Sequence, residues 1–445
     1  MKEIPKLQDA DLKGKLVLVR VDHNVAQKHV VKDPFRIDIT FGTLFHILSK
    51  GGRLILMTHV GRPRDKKTGK ISMDSNFDVK PIVNYLERKL YTKFIIPEFE
   101  WDFNEGGYAD IDTSINLLIR ELKAGRIDGI YLPNIRWFKG EESNDYKAQK
   151  LGEQLAGLAD VYVNDAIGSW RPHTSTVRVP EYLPSYAGYL MQHEIHGLNH
   201  IFSPRRPLLA VIAGAKFDTK IGPLSFLLDK VDYLMLGGVI YNAYLSIKYD
   251  IKIKGPDEDD FVFAREFVNA ARRHPDKIIE PPYIVESDIL EGRIEGRYRV
   301  HDIRQLKPGT ELNYVVDICE KSFELPDIVK PIMEAESIFV NAVMGYTNYF
   351  DEGTKRLYLL VDQNQKAFKM FAGGDTLQEL RSMLPGIYIR AVDADDYYFF
   401  SGGGTILKAI HAGNIIGLDP VKALINNGGK ESPALNHDFS SQFFT

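Results

Sequence analysis

The chain has one cysteine, Cys319, so an intrachain disulfide and a multi-cysteine metal cluster are both excluded. It has no apolar run of membrane-spanning length. Charge of one sign is also scarce: 56 Lys and Arg against 60 Asp and Glu leave a formal net charge of −4, so no global field draws the chain to nucleic acid or an anionic membrane. Any anion site must then be a local concentration of Arg and Lys. Heptads, solenoid periods and low-complexity blocks are missing as well. Residues 1–12 are charged and lack an apolar signal core, so a cytoplasmic location is expected.

What the chain does contain is strand-length apolar runs separated by helix-length amphipathic segments. The runs cover 15–21, 53–58, 93–96, 129–132 and 161–163 in the first half. In the second they cover 208–213, 233–236, 314–318, 338–340, 368–371 and 397–400. This alternation predicts an α/β fold with parallel sheets wound on both faces. About eleven strands exceed one comfortable open sheet. We therefore expect two doubly wound, Rossmann-like domains joined by a helical hinge, with a cleft between them. The expected bounds are 1–185 for the first domain, 186–202 for the hinge helix and 203–416 for the second domain, with 417–445 packing back on the first. The charged, Gly- and Arg-rich stretch 283–313 reads as a hairpin insertion. Residues 426–445 form a polar tail carrying Phe439, Phe443 and Phe444.

In doubly wound sheets ligands bind beyond the carboxyl ends of the strands. In the first half those ends carry Asp22 and Asn24, then His59 and Arg62, then Asn134 and Arg136, then Asn164, Asp165 and Arg171, with Arg36 in a loop before a helix. Arg forks suit bidentate capture of phosphate or carboxylate. Any one of these arginines could be a surface ion pair. Several at equivalent strand ends point to a small, multiply anionic ligand.

The second half ends its strands differently. Gly214, Ala215 and Lys216 follow one run, with Lys220 four residues on. Gly237 and Gly238, Asn341, then Gly373, Gly374, Asp375 and Thr376, and finally Gly402, Gly403, Gly404 and Thr405 follow the others. Glycines there let phosphate oxygens reach backbone N–H groups without a Cβ in the way. Lys216 and Lys220 would share one helix face. Asp375 is placed either to cap a helix or to meet a magnesium ion held mainly by phosphates. An arginine cup and a glycine shelf on separate lobes suggest a kinase. Another small-molecule kinase and a non-catalytic metabolite sensor stay open at this level.

The ordered motifs resemble the phosphoglycerate kinase family, in an archaeal-type pattern of insertions. They are Val19-Arg20-Val21-Asp22-His23-Asn24, Thr58-His59-Val60-Gly61-Arg62-Pro63, Val163-Asn164-Asp165-Ala166, Gly214-Ala215-Lys216-Phe217-Asp218-Thr219-Lys220, Gly373-Gly374-Asp375-Thr376 and Ser401-Gly402-Gly403-Gly404. The resemblance implies transfer of the acyl phosphate of 1,3-bisphosphoglycerate to Mg-ADP, giving 3-phosphoglycerate and ATP, by hinge closure and electrostatic stabilisation. It implies that Asp22, Asn24, Arg36, His59, Arg62, Arg136 and Arg171 hold 3-phosphoglycerate. Gly214, Ala215, Lys216, Lys220, Gly237, Gly238, Asn341, Asn348, Gly373, Gly374, Asp375 and Thr376 would hold ADP or ATP, with Asp375 on Mg2+. Arg36, Lys216, Lys220, Gly374, Gly402 and Gly403 would act on the moving phosphoryl group. The implied enzyme binds neither nucleic acid nor membrane and is a monomer or a homodimer. The chain departs from the family pattern at Ala213, Val239 and Ala372, which stand at glycine positions, and at Ala342, Val343 and Asn348 near the ribose.

Overall fold

Leu16-Val17-Leu18-Val19-Arg20-Val21 is buried at every position, as a parallel strand covered on both faces must be. A computed structural model describes residues 3–31, 34–214, 221–414 and 417–427. The chain divides into two units, Met1–Ile195 with Ile416–Thr445, and His196–Ile415.

The first unit is built on β1 (Leu16–Val21), a short ribbon of β2 (Ala26–Gln27) and β3 (Val30–Val31), β4 (Arg53–Met57), β5 (Phe94–Ile95), β6 (Gly129–Tyr131), β7 (Val161–Asp165) and β8 (Ser185–Ala187). Apart from the ribbon these strands make one sheet in the order β5-β6-β4-β1-β7-β8, with every pair parallel. The register sets Val19 beside Leu56 on one side and Val163 on the other. Its helices are α1 (Phe35–Asp38), α2 (Phe41–Ser49), α3 (Lys80–Leu90), α4 (Ile115–Lys123) and α5 (Tyr146–Ala156). Ile82, Val83 and Leu86 of α3 and Leu44 and Ile47 of α2 join Val17, Val19 and Leu54 in one apolar core. The division between units falls inside α6 (Tyr189–Phe202).

The second unit is also built on a six-stranded parallel sheet, with a different strand order. Its strands are β9 (Leu208–Gly214), β10 (Tyr233–Gly237), β11 (Lys252–Lys254), β12 (Ile278–Ile279), β13 (Tyr283–Ser287), β14 (Tyr298–Asp302), β15 (Glu311–Ile318), β16 (Ser337–Asn341), β17 (Phe368–Ala372) and β18 (Tyr397–Phe400). Six of them form a parallel sheet in the order β12-β10-β9-β16-β17-β18. The helices are α7 (Ile221–Lys230), α8 (Gly238–Tyr249), α9 (Glu258–Ala271), α10 (Pro326–Glu334), α11 (Glu352–Gln363), α12 (Gly374–Met383), α13 (Pro385–Val392) and α14 (Gly403–Ala412).

One expected strand lies elsewhere. The run 314–318 belongs to β15, which sits in a separate mixed sheet, β11-β15-β13-β14. Its apolar stretch is only the inner part of an eight-residue strand that starts exposed at Glu311 and pairs antiparallel with β13. The hairpin anticipated for 283–313 is β13 and β14, paired antiparallel.

After α14 the chain returns to the first unit. There α15 (Asp419–Asn427) buries Pro420, Val421, Ala423 and Leu424 and packs on Thr174–Arg178, Val179–Glu181 and β8.

Candidate functional site

Four strands of the first sheet end side by side in polar residues. Asp22 follows β1, His59 follows β4, Arg136 follows β6, and the loop carrying Gly168 to His173 follows β7. Asn134 organises the β4 and β6 ends. It donates to the Val60 and Phe77 carbonyls at 2.8 and 2.9 Å and accepts from the Val60 and Arg136 amides, both at 3.1 Å. Asn24 accepts from the Gly61 amide at 2.8 Å, and Arg136 donates to the Gly61 carbonyl at 2.5 Å. Asn24 and Arg136 therefore meet across one residue of a third strand's loop.

Arg36 Nη1 lies 3.4 Å from Asp22 Oδ2. The other carboxylate oxygen, Oδ1, is buried without a hydrogen-bond partner among the described residues. Such an orphaned acceptor costs about 1–3 kcal/mol unless a ligand supplies a donor. A Cβ at Gly168 would collide with Asp22 Oδ2, so glycine is required there for the carboxylate to keep its place.

His59 is buried, and its Nδ1 lies 3.8 Å from Asp22 Oδ1. That spacing suits an ion pair only if the ring is charged. Burial first, then the Arg20, Arg136, His173 and Arg36 charges, drive its pKa well below 6.5. The ring is neutral, and the contact with Asp22 is not a salt bridge. The same forces act on His173, lowered to about 3 by burial and then by Arg136, Arg20 and Arg171.

Asp22, Asn24, Arg36, His59 and Arg136 are thus brought together. Arg62 and Arg171 are exposed; Arg62 acts on Arg136 through its charge, and the Arg171 guanidinium stands 5.9 Å over the Trp170 ring. Sequence reasoning missed two residues behind this group. Arg20 is fully buried in β1, and Glu141 is fully buried while accepting from the Ser175 amide and hydroxyl at 2.9 and 2.7 Å. Burial pushes Glu141 up to about 7, against the pull of Arg20. The available signal was one arginine inside an otherwise apolar strand.

The second unit presents backbone instead. Gly238 opens α8 at φ +62 and bridges to Gly214. Gly373 stands at φ +102 just before α12, and Gly402 caps α14. The first amides of α12 and α14 lack intrahelical partners and carry the positive end of the helix dipole. The Asn341 amide donates to the Ala372 carbonyl at 2.5 Å. A Cβ on Gly373 would come 2.8 Å from that amide, and one on Gly403 closer still. These glycines are fixed by clearance as well as by conformation.

Gly374 and Asp375 are exposed in the first turn of α12, and Thr376 is buried. A cavity of about 650 Å³ in this unit is lined by Gly214, Gly238, Asp317, Asn348, Asp375 and Glu379, among others. Gly237 closes on Met344 rather than lining it. Asp317 accepts from the Ile318 and Gly353 amides at 2.8 and 3.0 Å, yet burial lifts its pKa to about 8. Ala215, Lys216 and Lys220 lie outside the described residues. A guanidinium-rich cup can hold a multiply charged acid, and an amide-rich strand edge can hold polyphosphate.

A family model described as phosphoglycerate kinase matches residues 7–412. A phosphoglycerate kinase from Dictyoglomus turgidum is 30% identical over 424 residues, covering 94% of this chain and 98% of its own length. One from Wolbachia sp. subsp. Brugia malayi is 30% identical over 441 residues, covering 96% and 100%. Among solved structures, phosphoglycerate kinase from Coxiella burnetii superposes with a TM-score of 0.71 at 25% identity, covering 96% of this chain and 100% of that one. The Pyrococcus horikoshii OT3 structure gives 0.75 at 21% identity over 95% and 99%, which bears on the fold.

Proposed function

This chain belongs to the phosphoglycerate kinase family, and from that premise we propose which of its residues carry the reaction. It is a phosphotransferase with a carboxyl group as acceptor. In our reading the first unit holds 3-phosphoglycerate or 1,3-bisphosphoglycerate, through Asp22, Asn24, Arg36, His59 and Arg136, with Arg62 and Arg171 on the rim. The second unit holds ADP or ATP along the Gly214, Gly238, Gly373 and Gly403 edge. The observation that carries this is the orphaned Asp22 Oδ1 beside Arg36 and a neutral His59. An acceptor, a cation and a neutral ring together match a ligand bearing both hydroxyl and anionic groups.

Asp375 is an exposed carboxylate at the rim of the cavity. One hard oxygen donor beside an anion shelf fits a magnesium ion held mostly by nucleotide phosphates. Bound there, the ion would neutralise phosphate charge. The chain's own groups do the rest. Arg36, Lys216, Lys220 and the amides of Gly374, Gly402 and Gly403 spread stabilisation over the equatorial oxygens of the moving phosphoryl group. The attacking carboxylate has no proton to lose, so His59 serves as a hydrogen-bonding group rather than a base.

Because different units hold the two substrates, transfer requires ligand-driven closure; unchanged small-angle scattering with both substrates present contradicts that part. A cytoplasmic enzyme of archaeal type, acting as monomer or homodimer, completes the reading, with the insertion at 283–313 supporting the archaeal type. The decisive assay couples ATP formation from 1,3-bisphosphoglycerate and Mg-ADP in wild type and Lys216→Ala. We expect kcat to fall by about 100- to 1,000-fold with the fold intact. Full activity in the variant contradicts the lysine roles.

A further inference from the structure

We propose that Arg20 is a positioning residue: through a one-directional set of hydrogen bonds it fixes His59 as the Nε2–H tautomer, so that the ring meets the acidic substrate as a neutral donor. This rests on the proposed acid site for its consequence, though not for its geometry.

Arg20 is the one charged side chain of β1 and is fully buried. A guanidinium has donors and no acceptor, so each of its contacts has a known direction. Nε donates to Ser175 Oγ at 2.9 Å, and Nη1 to the Val21 carbonyl at 2.5 Å. Nη2 lies 3.2 Å from His59 Nδ1 and 3.4 Å from Ser169 Oγ. An Nδ1 that faces an arginine donor must present its lone pair. In a neutral imidazole the hydrogen then sits on Nε2.

The ring is held neutral by burial and by the surrounding cations. The other tautomer would set an Nδ1–H against the Arg20 N–H. Its remaining acceptors would be Ser169 Oγ at 3.5 Å and Asp22 Oδ1 at 3.8 Å, which are at and beyond hydrogen-bonding range. Behind Arg20 the chain of bonds keeps its direction. Ser175 accepts from Arg20 and donates to Glu141 Oε1 at 2.7 Å. Protonating Glu141 could reverse that last link alone, because Arg20 can only donate. At the other end His59 Nε2 has no protein partner among the described residues, and His59 keeps 8% of its surface exposed. Its N–H is therefore free to reach a carboxylate or phosphate oxygen.

The test is long-range proton–nitrogen correlation spectroscopy on the full-length enzyme labelled with 15N-histidine, with His59 assigned by comparison with His59→Gln. We expect a pyridine-type Nδ1 and a pyrrole-type Nε2 in wild type. In Arg20→Met we expect a mixture of tautomers, and a KM for 3-phosphoglycerate raised about ten-fold with the KM for ATP unchanged. An Nδ1–H tautomer or an imidazolium in the wild-type spectrum overturns the proposal, and so does a folded Arg20→Met enzyme that keeps both tautomer and KM. If Arg20→Met does not fold, the wild-type spectrum decides by itself. The spectrum needs no turnover, so the two claims separate: an intact tautomer whose Nε2 signal ignores 3-phosphoglycerate upholds the Arg20 role and refutes the acid site.

Discussion

At the strand ends of the first unit, Arg20, Arg36 and Arg136 gather around Asp22 and His59, whereas in the second Gly214, Gly238, Gly373 and Gly403 occupy the corresponding places. The two edges share an architecture and differ in what holds them. Clustered guanidinium groups repel one another and lose solvation, so the first edge needs the Glu141 and Ser175 network and the Glu142 pair on Arg136 at 3.1 Å. The second uses amides whose position follows from the strands and helices themselves. It needs clearance rather than counter-charge, and Asn341 fills that clearance. Two parallel sheets with different strand orders thus end in side-chain clusters or in backbone edges, according to which residues follow each strand.

Exchanging the injury between edges tests this contrast. Arg36→Ala should lower kcat/KM for the acid substrate by about 100-fold or more while leaving the nucleotide KM within about two-fold; steady-state kinetics with each substrate varied measures both. Gly403→Ala should do the reverse, raising the nucleotide KM and costing about 1–3 kcal/mol of stability by overpacking against Asn341, read by kinetics and denaturant melts. If either variant damages both sites equally, the separation fails.

A third expectation concerns pH. The native second unit keeps Asp317 protonated up to about 8, while the unfolded chain ionises it near 3.8. The folded state therefore binds the extra proton between those values, and this group's stabilisation is present below that window and lost as pH rises through it. Thermal melts from pH 5 to 8 should show a shallower decline in Asp317→Asn than in wild type. The smallest effect is expected at Asn348, which is exposed at the cavity rim. Asn348→Ala should change the nucleotide KM by less than about three-fold.

The parallel sheets were legible because buried parallel strands are apolar throughout, as β1, β9 and β16 are with few exceptions. The same rule misled at β15, whose apolar inner half resembles a central strand although its partner β13 runs antiparallel. β8 was hidden because Ser185-Tyr186-Ala187 is too short and too polar to stand out. In the candidate site, residues directly after the strands could be read from order alone. Arg20 and Glu141 could not, because their importance lies in which partners the fold sets beside them, and a charge in an apolar run reads first as an interruption.

The closing helix α15 has a consequence for how the molecule is made. It lies on Thr174–Arg178, the segment that contains Ser175 and therefore the far end of the Arg20 bonds. During synthesis the ribosome must finish the whole second unit before this brace emerges. The portion translated first is thus the portion completed last, and in a nascent chain stalled before Asp419 the segment Thr174–Arg178 would be packed by α5 and Val179–Glu181 but would lack the cover of α15.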